Sequence, residues 1–336
     1  MRNLALPILF ISAVCAVSSC LNPNVESGDA TPNPTGGARQ NAPARNCATM
    51  DVLAEDIKDN PGQAKKYDDV EKHTKNFVDK NAALGAQPTT TITVIIPVAV
   101  HVLHYTDKEN ISLTQIQSQI DVLNADFSNT NADRTLLPSA FASLPADMSI
   151  EFTLAPANID RKRSSKASWG TRNAMKSAKK GGIDPVDPSK YLNIWVCNIG
   201  GGILGYAQFP GGQAATDGIV VGPQYFGSVG YVATPFDKGR TATHEVGHWL
   251  NLRHIWGDAN CGSDLVADTP TQQTSNYGCP SFPKVTCGNG PNGDLFMNYM
   301  DYTNDICMYM FTSGQKTRSQ TIFAAGGPRR SFEPTP

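Results

Sequence analysis

A chain of 336 residues is long enough for a sizeable core and more than one module. Its formal net charge is −2 and 17% of its residues are charged, so no overall field draws it to nucleic acid, and no nucleic-acid partner is expected. The basic run 161–180 holds no acid and only one aromatic, Trp169, so it reads as a solvated surface loop rather than a nucleic-acid patch.

Residues 1–19 read as an export signal. Arg2 supplies a positive start, and Leu4 to Val17 is nearly all apolar but too short for a comfortable membrane span. The run ends in small residues before Cys20, the pattern of a bacterial lipoprotein signal cleaved ahead of a cysteine that then carries lipid. The mature chain is therefore expected outside the cytoplasm, as an envelope or surface lipoprotein or a secreted protein. Any membrane contact would run through that anchor, and disulfides are permitted. Residues 20–46 are polar and rich in Pro, Gly and Asn, a flexible spacer. Residues 47–88 carry many charges and few large apolar groups, with one short helix expected over 50–57. Such a stretch makes little core alone and reads as a pro-segment that leans on something else.

The pattern changes in the next unit, 89–255. Residues 91–105 are rich in β-branched side chains and predict a strand. Ile116, Ile120, Leu123 and Phe127 recur at helical spacing behind Ser112, a suitable N-cap, which predicts a helix over 112–128. Further strands are expected at 148–155, 191–199 and 217–223, with Cys197 an inert core thiol. A helix, a run of strands and a second helix over 240–252 make an α/β sandwich with a mixed sheet. Residues 256–326 form a loop-rich subdomain containing Cys261, Cys279, Cys287 and Cys307, which allow three pairings. Thr312 and Gln315 have capping-box form and open a last helix to about Ala324, followed by a tail over 327–336.

The helix over 240–252 carries the chemistry, in the stretch HEVGHWLNLRH (244–254). His244 and His248 are four apart, share a face and converge on one point. Glu245 can lean over that point without ligating. His254 follows His248 by six, roughly 240° away around a continuous helix, so it joins only if the chain turns. Asn251 stands where that turn must come, and Asn is the non-glycine residue that best tolerates the left-handed conformation. Three imidazoles leave a fourth position open, as in catalytic rather than structural zinc, with Glu245 as general base. His73, His101 and His104 lack such spacing and read as structural or exposed.

With HEVGHWLNLRHIWGD (244–258), LNIWVCNIGGGILGYAQFP (192–210), DTPTQ (268–272), MNYMDYTND (297–305) and MFTSGQ (310–315), the chain resembles the pappalysin family of metzincin metalloproteases, and most closely its small ulilysin-like members. The resemblance covers roughly residues 91–325. It implies a metzincin-type α/β catalytic domain, monomeric, with a twisted mixed sheet, a backing helix, the zinc helix, and a disulfide-stapled C-terminal subdomain ending in a helix. It implies that Met300 forms the methionine turn beneath the zinc, that Tyr302 donates to the oxyanion, and that Asp305 lines the pocket for the residue after the scissile bond, favouring Arg or Lys there. It implies the pairings Cys261–Cys287 and Cys279–Cys307. It implies calcium near Asp264, Asp268, Thr269 and Thr271, whose oxygens suit that ion. Cys47 lies where zymogens of this kind carry a cysteine, and its thiolate would fill the open zinc position.

The expected function is therefore a zinc endopeptidase, secreted or lipid-anchored, made as a latent zymogen that acts on proteins or peptides. Lys75 and Lys80 are the expected sites of self-cleavage. The alternative is a non-enzymatic surface binding protein on a decayed protease scaffold; since decay tends to remove the glutamate or a ligand first, the complete set favours the enzyme.

Overall fold

The computed structural model describes residues 44–83 and 93–332. The export signal, Cys20, the spacer up to residue 43 and the last four residues of the tail lie outside the described residues. In chain order come helices α1 (Thr49–Asp59) and α2 (Pro61–Ala83), strand β1 (Val94–His104), helix α3 (Leu113–Phe127), strands β2 (Ile150–Arg163), β3 (Leu192–Val196), β4 (Gly205–Ala207) and β5 (Ile219–Val221), and helices α4 (Arg240–Trp249) and α5 (Ser313–Gln320).

The five strands make one sheet in the order β2-β1-β3-β5-β4, parallel throughout except for β4, which runs antiparallel to β5. The mixed α/β architecture matches the sequence expectation. Val94, Ile96, Val98, Val100 and Val102 of β1 alternate onto the face that packs against Ile116, Ile120, Leu123 and Phe127 of α3 and Ala242, Val246 and Trp249 of α4. The other face holds Leu103, Trp195, Cys197, Tyr206 and Val220, closed by Trp169 and Met175 and by Val52 from α1. Every residue of β3 is buried, so its apolar residues read as a run rather than an alternation. His101 is built into this sheet, with Nε2 2.9 Å from Asn193 Oδ1, and the buried His104 is likewise a strand residue.

Local chemistry sets several boundaries as read. Ser112 Oγ accepts the backbone N–H of Gln115, and Thr312 with Gln315 closes a full capping box on α5. Other boundaries differ. The last α-helix stops at Gln320 instead of about Ala324, because residues 322–324 close with tighter bonds to the third residue back before Gly326 and Gly327. Strand β2 runs on to Arg163, so Arg161–Arg163 of the basic run lie on an edge strand instead of a loop, and Lys176 of the same run is buried. Residues 47–83 form two helices instead of one. α2 is 23 residues long and mostly polar, opened by Pro61 in the first helical position and laced by Lys65–Asp69 and Lys75–Asp79 pairs. Its thin apolar face hid it from a periodicity reading. The loop-rich subdomain is stapled by Cys261–Cys287 and Cys279–Cys307, the pairing that the resemblance implied.

Candidate active site

α4 ends where the site needs it to end. Leu250 and Leu252 both donate to Gly247 O, and Asn251 adopts φ 73°, the left-handed turn expected of it. The chain reverses there and carries His254 back to the other two histidines. His248 Nε2 then lies 3.1 Å from both His244 Nε2 and His254 Nε2. Each Nδ1 has an acceptor: Tyr299 O at 2.7 Å for His244, Leu252 O at 2.8 Å for His248 and Asp258 Oδ1 at 2.5 Å for His254. Those acceptors place the ring protons on Nδ1, so three Nε2 lone pairs face one another with no proton between them. Burial holds His244 and His248 well below the usual histidine range and keeps them neutral. Three converging imidazoles, each oriented by an acceptor at Nδ1, fit a bound divalent cation.

Below them, Met300 packs against α4. A Cβ on Gly247 would meet its sulfur at 2.4 Å, so this glycine is what lets Met300 approach the helix. On the sheet side, a Cβ on Gly205 of β4 would come within 3.0 Å of Glu245 Cγ. Glu245 is 1% exposed, and burial raises its carboxyl to about 7.

The segment before α1 crosses this centre. Cys47 Sγ and the three histidine nitrogens all lie within 4.8 Å of one another. The sulfur is 3.4 Å from Glu245 Oε2. Thr49 Oγ1 donates to Glu245 Oε2 at 2.9 Å and accepts the backbone N–H of Ala207 at 2.8 Å. Tyr302 Oη donates to the Cys47 carbonyl at 3.2 Å, and its ring packs edge-on against His254. Leu204 donates to Asn46 O and Ala48 donates to Gly205 O, so the segment lies beside β4 in parallel pairing.

Arg45 completes the crossing. Its guanidinium meets Asp305 Oδ1 at 2.5 Å, donates to Thr241 Oγ1 at 3.2 Å and to Thr303 O at 3.3 Å, and lies over the Phe236 ring. Both charges are buried. Asp305 Oδ2 also accepts the backbone N–H groups of Lys238 and Arg240 at the start of α4. The sequence put Arg45 in the spacer, and that boundary is corrected: its burial depends on a partner 260 positions away, which leaves no local signature. Thr49, Thr241 and Asp258 were also missed. Asp258, four after His254, was the one with a readable spacing.

The four residues expected near calcium do not converge as a set. Asp264 accepts from Thr269 Oγ1 and from the backbone of Val266. Asp268 turns away to cap α5 through Thr312 Oγ1 and the N–H of Gly314, and Thr271 is exposed. The buried carboxylates Asp294 and Asp301 lie in the same subdomain, and burial raises Asp301 to about 6.

Comparison with known proteins agrees with this geometry. The family described as pregnancy-associated plasma protein-A matches residues 179–324. An extracellular metalloprotease of Arthroderma otae is 34% identical over 260 residues, covering 73% of this chain and 84% of that protein. Promirolysin of Tannerella forsythia, solved as a point mutant, superposes with a TM-score of 0.77 at 42% identity, covering 86% of this chain and 97% of the other. Mature mirolysin of the same organism, solved with a cleaved peptide, gives 0.71 at 48% identity over 73% and 97%. Three histidines converging at and just beyond the end of α4, Met300 packed beneath that helix and relatives of this closeness together make the chain a member of the pappalysin family of metzincin metalloproteases.

Proposed function

We propose that the chain is an exported zinc endopeptidase, held latent by its own pro-segment, that cuts peptide bonds ahead of Arg or Lys. His244, His248 and His254 hold the zinc, and the observation that carries this reading is the mutual approach of their unprotonated Nε2 atoms. Zinc, when bound, supplies a Lewis acid for the scissile carbonyl and lowers the pKa of water to about 7. Glu245 takes the proton of the attacking water and later passes it to the leaving amine, a role that suits a carboxyl poised near 7. Tyr302 Oη, which here donates to the Cys47 carbonyl, donates in turnover to the oxygen that gains charge. Relatives named as extracellular support export, and the lipid anchor on Cys20 remains part of the reading.

Arg45 supports the basic preference, because its side chain fills the Asp305 pocket as a substrate residue would. The pocket offers a carboxylate, a hydroxyl and a carbonyl to a planar fork, so Arg is favoured over Lys. Direction supports latency. Residue 45 enters this pocket and the later residue 47 reaches the metal, whereas a substrate presents its attacked carbonyl before the pocket residue. The segment therefore runs backwards through the cleft and offers no bond in register. Lys75 and Lys80, the proposed self-cleavage sites, sit on α2, and residues 81–93 hold no Lys or Arg, so self-release requires α2 to open.

The test is Glu245→Gln. It should keep the zinc and the fold yet lose cleavage by several powers of ten, on the order of what a general base and its charge contribute. Near-normal turnover would end the mechanism. Calcium belongs to the reading as a structural ion of the loop-rich subdomain, supported by its buried carboxylates. Chelation followed by zinc alone should leave thermal stability lowered. Full recovery without calcium would remove it.

A further inference from the structure

Part of the basic run 161–180 lies away from the histidines, opposite helix α1. A groove of about 660 Å³ lies between α1 and the body of the enzyme. Glu55, Asp56 and Asp59 of α1 face it from one side, and Arg172, Lys176 and Lys180 from the other. Arg172 Nε is 3.9 Å from Glu55 Oε1. Lys176 is 2% exposed, donates to Thr216 O at 2.7 Å and lies over the rings of Trp195 and Tyr206. Gln213 reaches Asp56 at 3.5 Å. The enzyme's own acid in the groove, Asp184, turns to the backbone N–H of Ala178. With the pro-segment gone, the wall therefore presents two accessible cations, Arg172 and Lys180, against one engaged carboxylate, while Lys176 stays buried behind them with its ammonium lowered to about 7 by burial.

The groove's position follows from the direction of the segment. Arg45 occupies the pocket for the residue after the scissile bond, Cys47 lies at the metal, and α1 continues to the opposite side. A substrate running the other way would lay its upstream residues there. From Cys47 to the acids of α1 the chain covers two residues, of which Ala48 is not extended (φ −98°, ψ 13°), and six to ten helical ones, at most about 15–22 Å, which an extended peptide spans in no more than about five to seven residues.

We propose that this groove is an upstream substrate subsite that selects acidic side chains about five to seven residues before the scissile bond, and that Glu55, Asp56 and Asp59 occupy it in the latent chain as substrate mimics. Arg172 and Lys180 are its readers. Both are accessible, so the selection is electrostatic, modest and screened by salt. This rests on the peptidase reading above, and the experiment separates the two.

The full-length chain is converted to its active form by pro-segment cleavage and given peptides with Arg after the scissile bond and Glu, Gln or Lys in the upstream positions. At low ionic strength kcat/KM should favour Glu over Lys by about fivefold, and the ratio should collapse in roughly 0.5 M salt. Arg172→Glu with Lys180→Glu should invert the ranking, and the pair Arg172→Gln with Lys180→Gln should flatten it. Equal cleavage of the Glu and Lys peptides at low salt, or an unchanged ranking in both pairs, overturns the subsite. If the Gln peptide is not cut at all, the peptidase reading falls and takes the subsite with it; if it is cut and charge has no effect, the subsite alone falls.

Discussion

Residues 45–49 and helix α2 belong to one segment, but they hold the enzyme in different ways. Arg45, Cys47, Ala48 and Thr49 are buried, and their functional groups meet Asp305, the histidine nitrogens, Tyr302, Glu245 and the backbone of β4. α2 meets the body with a few groups along a mostly exposed helix: the buried Val70, Gln63 on Gly211 O, Glu71 on Arg318, His73 on Thr321 O and Thr74 on Asn251. On the proposed reading, the first region blocks chemistry by occupying the groups that would do it. The second adds contact area beside the turn that places His254. Inhibition should thus depend steeply on the four buried residues of the first region and weakly on α2.

The largest break should come from Arg45→Ala. Its loss leaves the buried Asp305 without its cation, and removing one partner of such a pair costs about 3–5 kcal/mol. The precursor should shorten to a processed form at once on expression, whereas Glu245→Ala in the same background should keep it full length. A stable Arg45→Ala precursor would mean that the pocket is not an anchor. Cys47→Ala should come next. With no sulfur at the histidines, the intact precursor should show peptidase activity before any processing, read with a quenched peptide against gel-resolved chain length.

Thr49→Val is subtler, because it leaves the shape alone. It takes a donor from Glu245 and an acceptor from the N–H of Ala207. At about 1 kcal/mol for each of the two bonds lost, maturation should speed by roughly thirtyfold. An unchanged rate would separate Glu245 from the latch. Glu71→Ala should matter least. Its ion pair with Arg318 is partly exposed and worth under about 1 kcal/mol, so maturation should change by no more than about fivefold. A larger effect would make α2 a clamp equal to the front contact and dissolve the distinction.

What could be read in advance follows the same division between local and distant causes. β1 and α3 announce themselves by period, and Ser112 and Thr312 by position, because each needs only its neighbours. The zinc helix was legible for the same reason, down to the left-handed Asn251 that breaks it. Asp305 came from the family resemblance, and Arg45 shows why it matters: the two meet only after 260 residues have folded. Lys176 was hidden differently. It stands in a run of exposed cations, and only the rings of Trp195 and Tyr206 with the Thr216 carbonyl make its burial tolerable. α2 carries only a thin apolar face, with Val70 buried, and its other docking groups are the polar residues Gln63, Glu71, His73 and Thr74.

The most direct test of the account is the zinc environment of the full-length precursor, carrying Glu245→Ala so that it stays intact, measured by X-ray absorption at the zinc edge. Three histidine nitrogens and one sulfur are expected, with the sulfur lost in the Cys47→Ala precursor. A shell of nitrogen and oxygen with no sulfur would contradict it, and latency would then have to rest on Arg45 and Thr49 without the cysteine.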